Sequence, residues 1–241
     1  MSEYAIEFES INKSYKQEHV VDDVSLALSS GKTTAIVGES GSGKSTLLQI
    51  ANGLVLPDSG QVRIADRSLD YQNLPDVRRG MGYAVQGAGL FPHLTIKQNV
   101  TLVAMMSGWS KSRITERFNT LLSFFGLDDE LSNRYPHSLS GGQQQRVGLC
   151  RAMMLEPPLL LLDEPFSALD PITRASIHEE MLRLKDVSIL LVTHDMTEAA
   201  RLAEYLVILK AGQVVQQGRF AQIKSEPAND YVSLLTGSGH V

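Results

Sequence analysis

The sequence predicts a parallel α/β sheet preceded by a β-rich layer and interrupted by a helical insertion, on three observations. Short apolar runs alternate with helical patterns through much of the chain. Before Gly31, and again from Gln61 to Val85, strands follow one another without helices. From Leu94 to about Leu155 there are helices without strands. With 241 residues the chain is long enough for one sizeable core with an attached subdomain.

Taken in order, the candidate strands are Ala5 to Phe8, Thr33 to Val37, Gln61 to Ile64, Gly82 to Val85, Leu159 to Leu162, Ile189 to Val192, Tyr205 to Leu209 and Gln213 to Val215, each an apolar run bounded by turn-forming residues. Helical patterns fall at Ser45 to Asn52, Ile96 to Met106, Ile114 to Phe125, Ser140 to Leu155, Arg174 to Lys185 and Thr197 to Ala203. Ile177, Met181 and Leu184 recur at helical spacing and form a stripe able to pack on a sheet. In the insertion, Ser110 or Ser112 starts a helix whose charged face, Lys111, Arg113, Glu116 and Arg117, reads as solvated. The tail from Gly237 reads as loose.

Composition narrows the function. There are 22 basic against 27 acidic residues, a net charge of -5, which lacks the positive excess that a nucleic-acid backbone attracts. No run approaches the length of a membrane-spanning helix, the amino terminus has no secretory pattern, and the one cysteine, Cys150, has no internal partner. These features predict a cytoplasmic chain whose membrane role, if it has one, comes through partners.

Five segments carry chemistry. Thr33 to Val37 runs into Gly38-Glu39-Ser40-Gly41-Ser42-Gly43-Lys44-Ser45 and then a helix containing Thr46, the strand, GxxxxGK[ST], helix context of a phosphate-binding loop. Its backbone N–H groups point at the phosphates, Lys44 adds a point charge, and the Ser45 hydroxyl is placed for Mg²⁺. Leu159 to Leu162 is apolar on both faces and ends in Asp163-Glu164, at the strand end where such sheets bind ligands. There Asp163 is suited to Mg²⁺ and Glu164 to polarising a water. Ile189 to Val192 ends at His194, suited to a γ-phosphate, and Gln86 ends another strand with an amide oxygen for the metal shell. Ser140 caps a helix led by Gly141, Gly142 and Gln143, a second phosphate-binding helix start in one chain.

In order and spacing these residues resemble the ATP-binding cassette (ABC) ATPases over nearly the whole chain. The resemblance implies a P-loop NTPase (RecA-like) core with an antiparallel β subdomain and a helical subdomain. It places the core and β subdomain at about 1–86 and 156–236 and the helical subdomain at 87–155, with 237–241 a tail. It assigns Gly38 to Ser45 as Walker A, Gln86 as the Q-loop glutamine, Leu139 to Gln143 as the signature, and Leu159 to Glu164 as Walker B. Ser167 to Asp170 become the D-loop, His194 the switch histidine and Tyr15 the aromatic that stacks on adenine. It also implies ATP and Mg²⁺ as ligands, and a head-to-tail dimer, expected to be a homodimer, in which each signature acts on the partner's ATP. Permease subunits in the membrane, and indirectly a solute-binding protein, complete the assembly, with the chain peripheral on the cytoplasmic side.

Three stretches resemble the importer cassettes for quaternary amines such as glycine betaine and choline. They are Tyr83 to Thr95, Arg134 to Gly148, and Asp163 to Arg174, whose Asp-Pro-Ile-Thr-Arg ending is the most suggestive. Many of that group have Gly at the place of Ser167 and Ala at that of Cys150, and carry carboxy-terminal regulatory modules whose regulation is not expected to carry over to this chain. An exporter or other-importer ATPase subunit, or a soluble cassette outside transport, is the alternative reading. The solute is chosen by proteins other than this chain.

Overall fold

The structure, a computed structural model, describes residues 2–16 and 18–238. In chain order its elements begin with β1 (Tyr4–Tyr15), β2 (Glu18–Ser29), β3 (Thr33–Val37), α1 (Lys44–Ala51), β4 (Ser59–Ile64), β5 (Arg67–Ser68), α2 (Leu74–Arg79) and β6 (Met81–Ala84). The middle of the chain supplies α3 (Ile96–Met106), α4 (Lys111–Phe124), α5 (Gly141–Met153), β7 (Leu159–Asp163) and α6 (Pro171–Leu182). The last are β8 (Ser188–Thr193), α7 (Met196–Leu202), β9 (Tyr205–Lys210), β10 (Gln213–Gly218), α8 (Phe220–Ser225) and α9 (Asp230–Thr236). The chain forms two compact units, one made of the residues up to Val77 together with those from Asp186 onward, the other of Arg78–Lys185.

The first unit holds an antiparallel sheet in the order β2-β1-β4-β5. Ile6 and Phe8 of β1 are buried and lie opposite Ile64 and Val62 of β4. A register shift between Phe8 and Ile11, with Ser10 at φ 47°, adds a residue so that Ile11 continues the buried row. The same unit contains β10-β9-β3-β8, where β3 runs parallel to β8 and β9 and β10 returns antiparallel. Because β3 has parallel neighbours on both sides and β8 is buried throughout, their sequences are continuous apolar runs rather than alternations.

In the second unit β6 pairs parallel with the fully buried β7, from Met81 opposite Leu159 to Ala84 opposite Leu162. Helices α3, α4 and α5 bury Val100 and Ala104, Ile114, Phe118 and Leu121, and Val147, Leu149 and Cys150. Each has a built start: Thr95 and Ser140 form capping boxes with Gln98 and Gln143, and Ser110 accepts from Arg113 N. Burial pushes the Cys150 thiol up, away from the thiolate, and its Sγ faces Leu121 O at 3.6 Å.

Several expectations are corrected. The charged face of α4 is exposed at Lys111, Arg113 and Glu116, with Arg113 lying over Trp109 at 3.4 Å and pairing with Glu156 at 2.9 Å; only Arg117, which donates to Met153 O, is half-buried. The stretch from Gln61 to Val85 contains α2, a six-residue helix that buries no side chain and so leaves no periodicity to read. Helix α6 starts at Pro171 rather than Arg174, because Asp170 caps it by accepting from Ile172 N and Thr173 N, and it ends before Leu184. Strand β2 and helices α8 and α9 were not expected as elements. At the carboxyl end Gly237 closes α9 at φ 66° and Ser238 N donates to Ser233 O, while the rest of the tail, 239–241, lies outside the described residues.

Candidate functional site

In the first unit β3 delivers the chain to a tight turn that ends on α1. Val37 lies level with Thr193 of β8 and Ile208 of β9, so the loop from Gly38 leaves the sheet at the carboxyl ends of parallel strands. Gly43 sits at φ 99° as the N-cap of α1 and offers no side chain to cap the first turn, which includes the N–H groups of Ser45 and Thr46. A Cβ on Gly43 would stand 2.3 Å from Val20 O, so only glycine fits this approach. The loop wraps Lys44: its buried Nζ donates to Gly38 O at 2.8 Å and Glu39 O at 2.7 Å.

Ser42 Oγ is buried, with no hydrogen-bond partner among the described residues. A buried hydroxyl without a partner is costly, and an anion seated in the turn would relieve it. Glu39, Ser40 and Gly41 are exposed along the rim. Tyr15 ends β1 46% exposed, with Lys13 Nζ 5.6 Å from its ring, so it is not a core aromatic. His194 comes directly after β8 and is exposed; its turn is fixed by Thr193 Oγ1, which donates to Glu198 and accepts from Asp195 N, and by Asp195 capping α7.

In the second unit Asp163 is buried at the end of β7, and Glu164 comes next at φ 46°, a conformation uncommon outside glycine. Burial, and after it the charge of Asp163, pushes the Tyr83 hydroxyl on β6 up to about 12. Gln86 is exposed just beyond β6. Ser140 accepts from Gln143 N and Gln143 Oε1 accepts from Ser140 N, leaving Gly141 and Gly142 as the open first-turn donors of α5. Hydrogen bonds from Thr173 hold the Asp170 carboxyl below the usual range. The structure thus brings Gly38 to Thr46, Tyr15 and His194 into the first unit, and Gln86, Ser140 to Gln143, Asp163, Glu164 and Asp170 into the second.

Sequence reasoning missed Tyr231 on α9, whose hydroxyl accepts from Glu39 N at 3.3 Å and reaches Leu209 O at 3.5 Å, bracing the start of the loop. Nothing in the order of residues announces it, since the contact spans 192 positions.

The family profile described as ABC transporter matches residues 21–167. The glycine betaine uptake system ATP-binding protein YehX of Escherichia coli K12 is 46% identical over 96% of this chain and 76% of its own length. The glycine betaine/carnitine/choline transport ATP-binding protein OpuCA of Bacillus subtilis 168 is 43% identical over 96% of this chain, which spans only 62% of that protein. Among solved structures, a dimeric bacterial ABC transporter cassette superposes with a TM-score of 0.84 at 33% identity, covering 89% of this chain and 98% of its own. A post-hydrolysis form of that cassette, bound to ADP and Pi, matches equally at 0.84 and 32% identity. With the profile covering residues 21–167 and relatives aligned over 96% of its length, the chain belongs to the ABC transporter family, as an ATP-binding cassette ATPase.

Proposed function

We propose that this cassette powers an importer for quaternary-amine or osmoprotectant solutes, working as one of two copies beneath membrane permeases. The observation that carries the ATPase half is the glycine turn that buries Ser42 Oγ and wraps Lys44 at the start of α1. The importer half is supported by the relatives' names, those of glycine betaine, carnitine and choline transport ATP-binding proteins. Among the described residues no helix is long and apolar enough to cross a membrane; in this reading membrane permeases form the path for the solute. The permeases would be met by 87–155 and the loop after Gln86, on the cytoplasmic side of the membrane, with a solute-binding protein acting through them.

In this reading Lys44 and the first-turn N–H groups of α1 hold the β- and γ-phosphates, and Tyr15 stacks on the adenine. Glu164 accepts a proton from the attacking water as its oxygen bonds to the γ-phosphorus. The bond from that phosphorus to the β,γ-bridging oxygen breaks, and ADP leaves with the electron pair. His194 donates a hydrogen bond to the γ-phosphate. Ser140 to Gln143 address the nucleotide of the second cassette, with Asp170 at the junction. Ser45, Gln86 and Asp163 offer only oxygen donors, the set a hard cation such as Mg²⁺ takes when phosphates and water fill most of its shell. Bound there, Mg²⁺ would neutralise phosphate charge.

The test is Glu164→Gln in the full chain. It should bind ATP as the wild type does, hydrolyse it roughly 10²- to 10⁴-fold more slowly, and accumulate as an ATP-bound dimer. Co-expressed with its permease in cells lacking other betaine uptake, the wild type should support accumulation of labelled glycine betaine and the variant should not. Unchanged hydrolysis by the variant would refute Glu164 as the proton acceptor; uptake that ignores the cassette would refute the importer.

A further inference from the structure

We infer that Gln145 is a positioning residue for Glu164, a buried link between the signature turn and the carboxylate of the same chain. This rests on the reading of Glu164 as the proton acceptor. Gln145 lies on α5, one turn beyond Gly141 and Gly142, and is 4% exposed. Its amide is used at both ends: Nε2 donates to Glu164 O at 2.8 Å and lies 3.3 Å from Ser167 Oγ, and Oε1 accepts from Ala168 N at 2.8 Å. Ser167 Oγ donates to the same Glu164 carbonyl at 3.0 Å.

That carbonyl belongs to a residue at φ 46°, a conformation that holds only where surrounding bonds determine it. The start of α5 abuts the same segment, since a Cβ on Gly142 would meet Ala168 O at 3.1 Å and Leu169 Cδ2 at 3.4 Å. Packing and hydrogen bonds therefore join one helix, α5, to the backbone that aims Glu164. A shift of the signature turn when it engages the partner's nucleotide is carried by Gln145 to the carboxylate serving the chain's own nucleotide. An apolar residue would break the link, and a carboxylate would keep the acceptor for Ala168 N but lose the donor to Glu164 O.

The experiment measures ATP turnover by the full-length cassette for wild type, Gln145→Glu, Gln145→Leu and Ser167→Gly, below the unfolding midpoint of each. Both Gln145 variants should lower kcat about 5- to 10-fold, the scale of one positioning hydrogen bond, with KM within about twofold. Their Hill coefficient for ATP should fall toward 1, which a merely structural defect would not cause. Ser167→Gly removes only the second, longer donor to the Glu164 carbonyl and should lower kcat by less than either Gln145 variant. If Gln145→Leu does not fold, the nearly isosteric Gln145→Glu decides. Wild-type kcat and cooperativity in folded Gln145→Glu would overturn the inference, as would a loss confined to KM. Glu164→Gln run alongside separates the two failures: if it hydrolyses normally, the assignment of Glu164 is wrong and not the link alone.

Discussion

Replacing Gly43 by alanine tests whether the glycine turn before α1 is held by close approach as well as by backbone conformation. At φ 99° any residue with a Cβ incurs about 1 to 2 kcal/mol of strain. The new Cβ would also stand 2.3 Å from Val20 O, short of the 3.0 Å that real Cβ contacts respect, so the β2 backbone or the start of α1 must give way. Overpacking of this kind costs about 1 to 3 kcal/mol, for a total of about 2 to 5 kcal/mol. Gly41→Ala is the internal control: at φ 81° it carries similar strain, but nothing lies within 4 Å of its Cβ. The two variants should therefore differ by about 1 to 3 kcal/mol in urea unfolding, with Gly43→Ala the weaker. Because the displaced element carries the first-turn N–H groups, Gly43→Ala should also weaken binding of a fluorescent ATP analogue at least tenfold. Equal stability of the two variants, within about 0.5 kcal/mol, would refute the close-approach argument.

Two further outcomes are expected. Ser140→Ala and Ser110→Ala each remove a helix cap and should each cost about 1 kcal/mol in chemical unfolding. Only Ser140→Ala should also depress ATP turnover, and equal turnover in the two would argue against a role for the signature start. For Tyr83 the folded-state value of about 12 lies above the ordinary tyrosine value of 10.0, so the neutral hydroxyl is favoured by folding. That contribution is fully present below about pH 10 and is lost as the pH rises through about 12. Stability of the wild type relative to Tyr83→Phe should accordingly fall across this window, and a flat difference would show that the burial of Tyr83 and its closeness to Asp163 do not matter.

The fold class, and most of the strands and turns that bear the candidate site residues, are legible in the order of residues alone. Continuous apolar runs such as Leu159 to Leu162 and Ile189 to Val192 read as buried parallel strands, and each gives way to a polar residue, Asp163 or Thr193, at its carboxyl end. Glycine spacing around Lys44, and Ser140 ahead of Gly141 and Gly142, are local signals, because turns and caps are made by neighbours in the chain. Helix α2 was missed because it buries nothing and so leaves no periodicity, and β2 was missed although Val24, Leu26 and Leu28 alternate inward along it, the period-two pattern of a strand. Folding alone reveals that Ser42 Oγ is buried with no hydrogen-bond partner among the described residues, that Tyr231 reaches Glu39 across 192 positions, and that Gln145 holds the backbone of Glu164. Each of these depends on segments brought side by side by packing, and packing is a property of the whole core rather than of any stretch of residues that a motif can display.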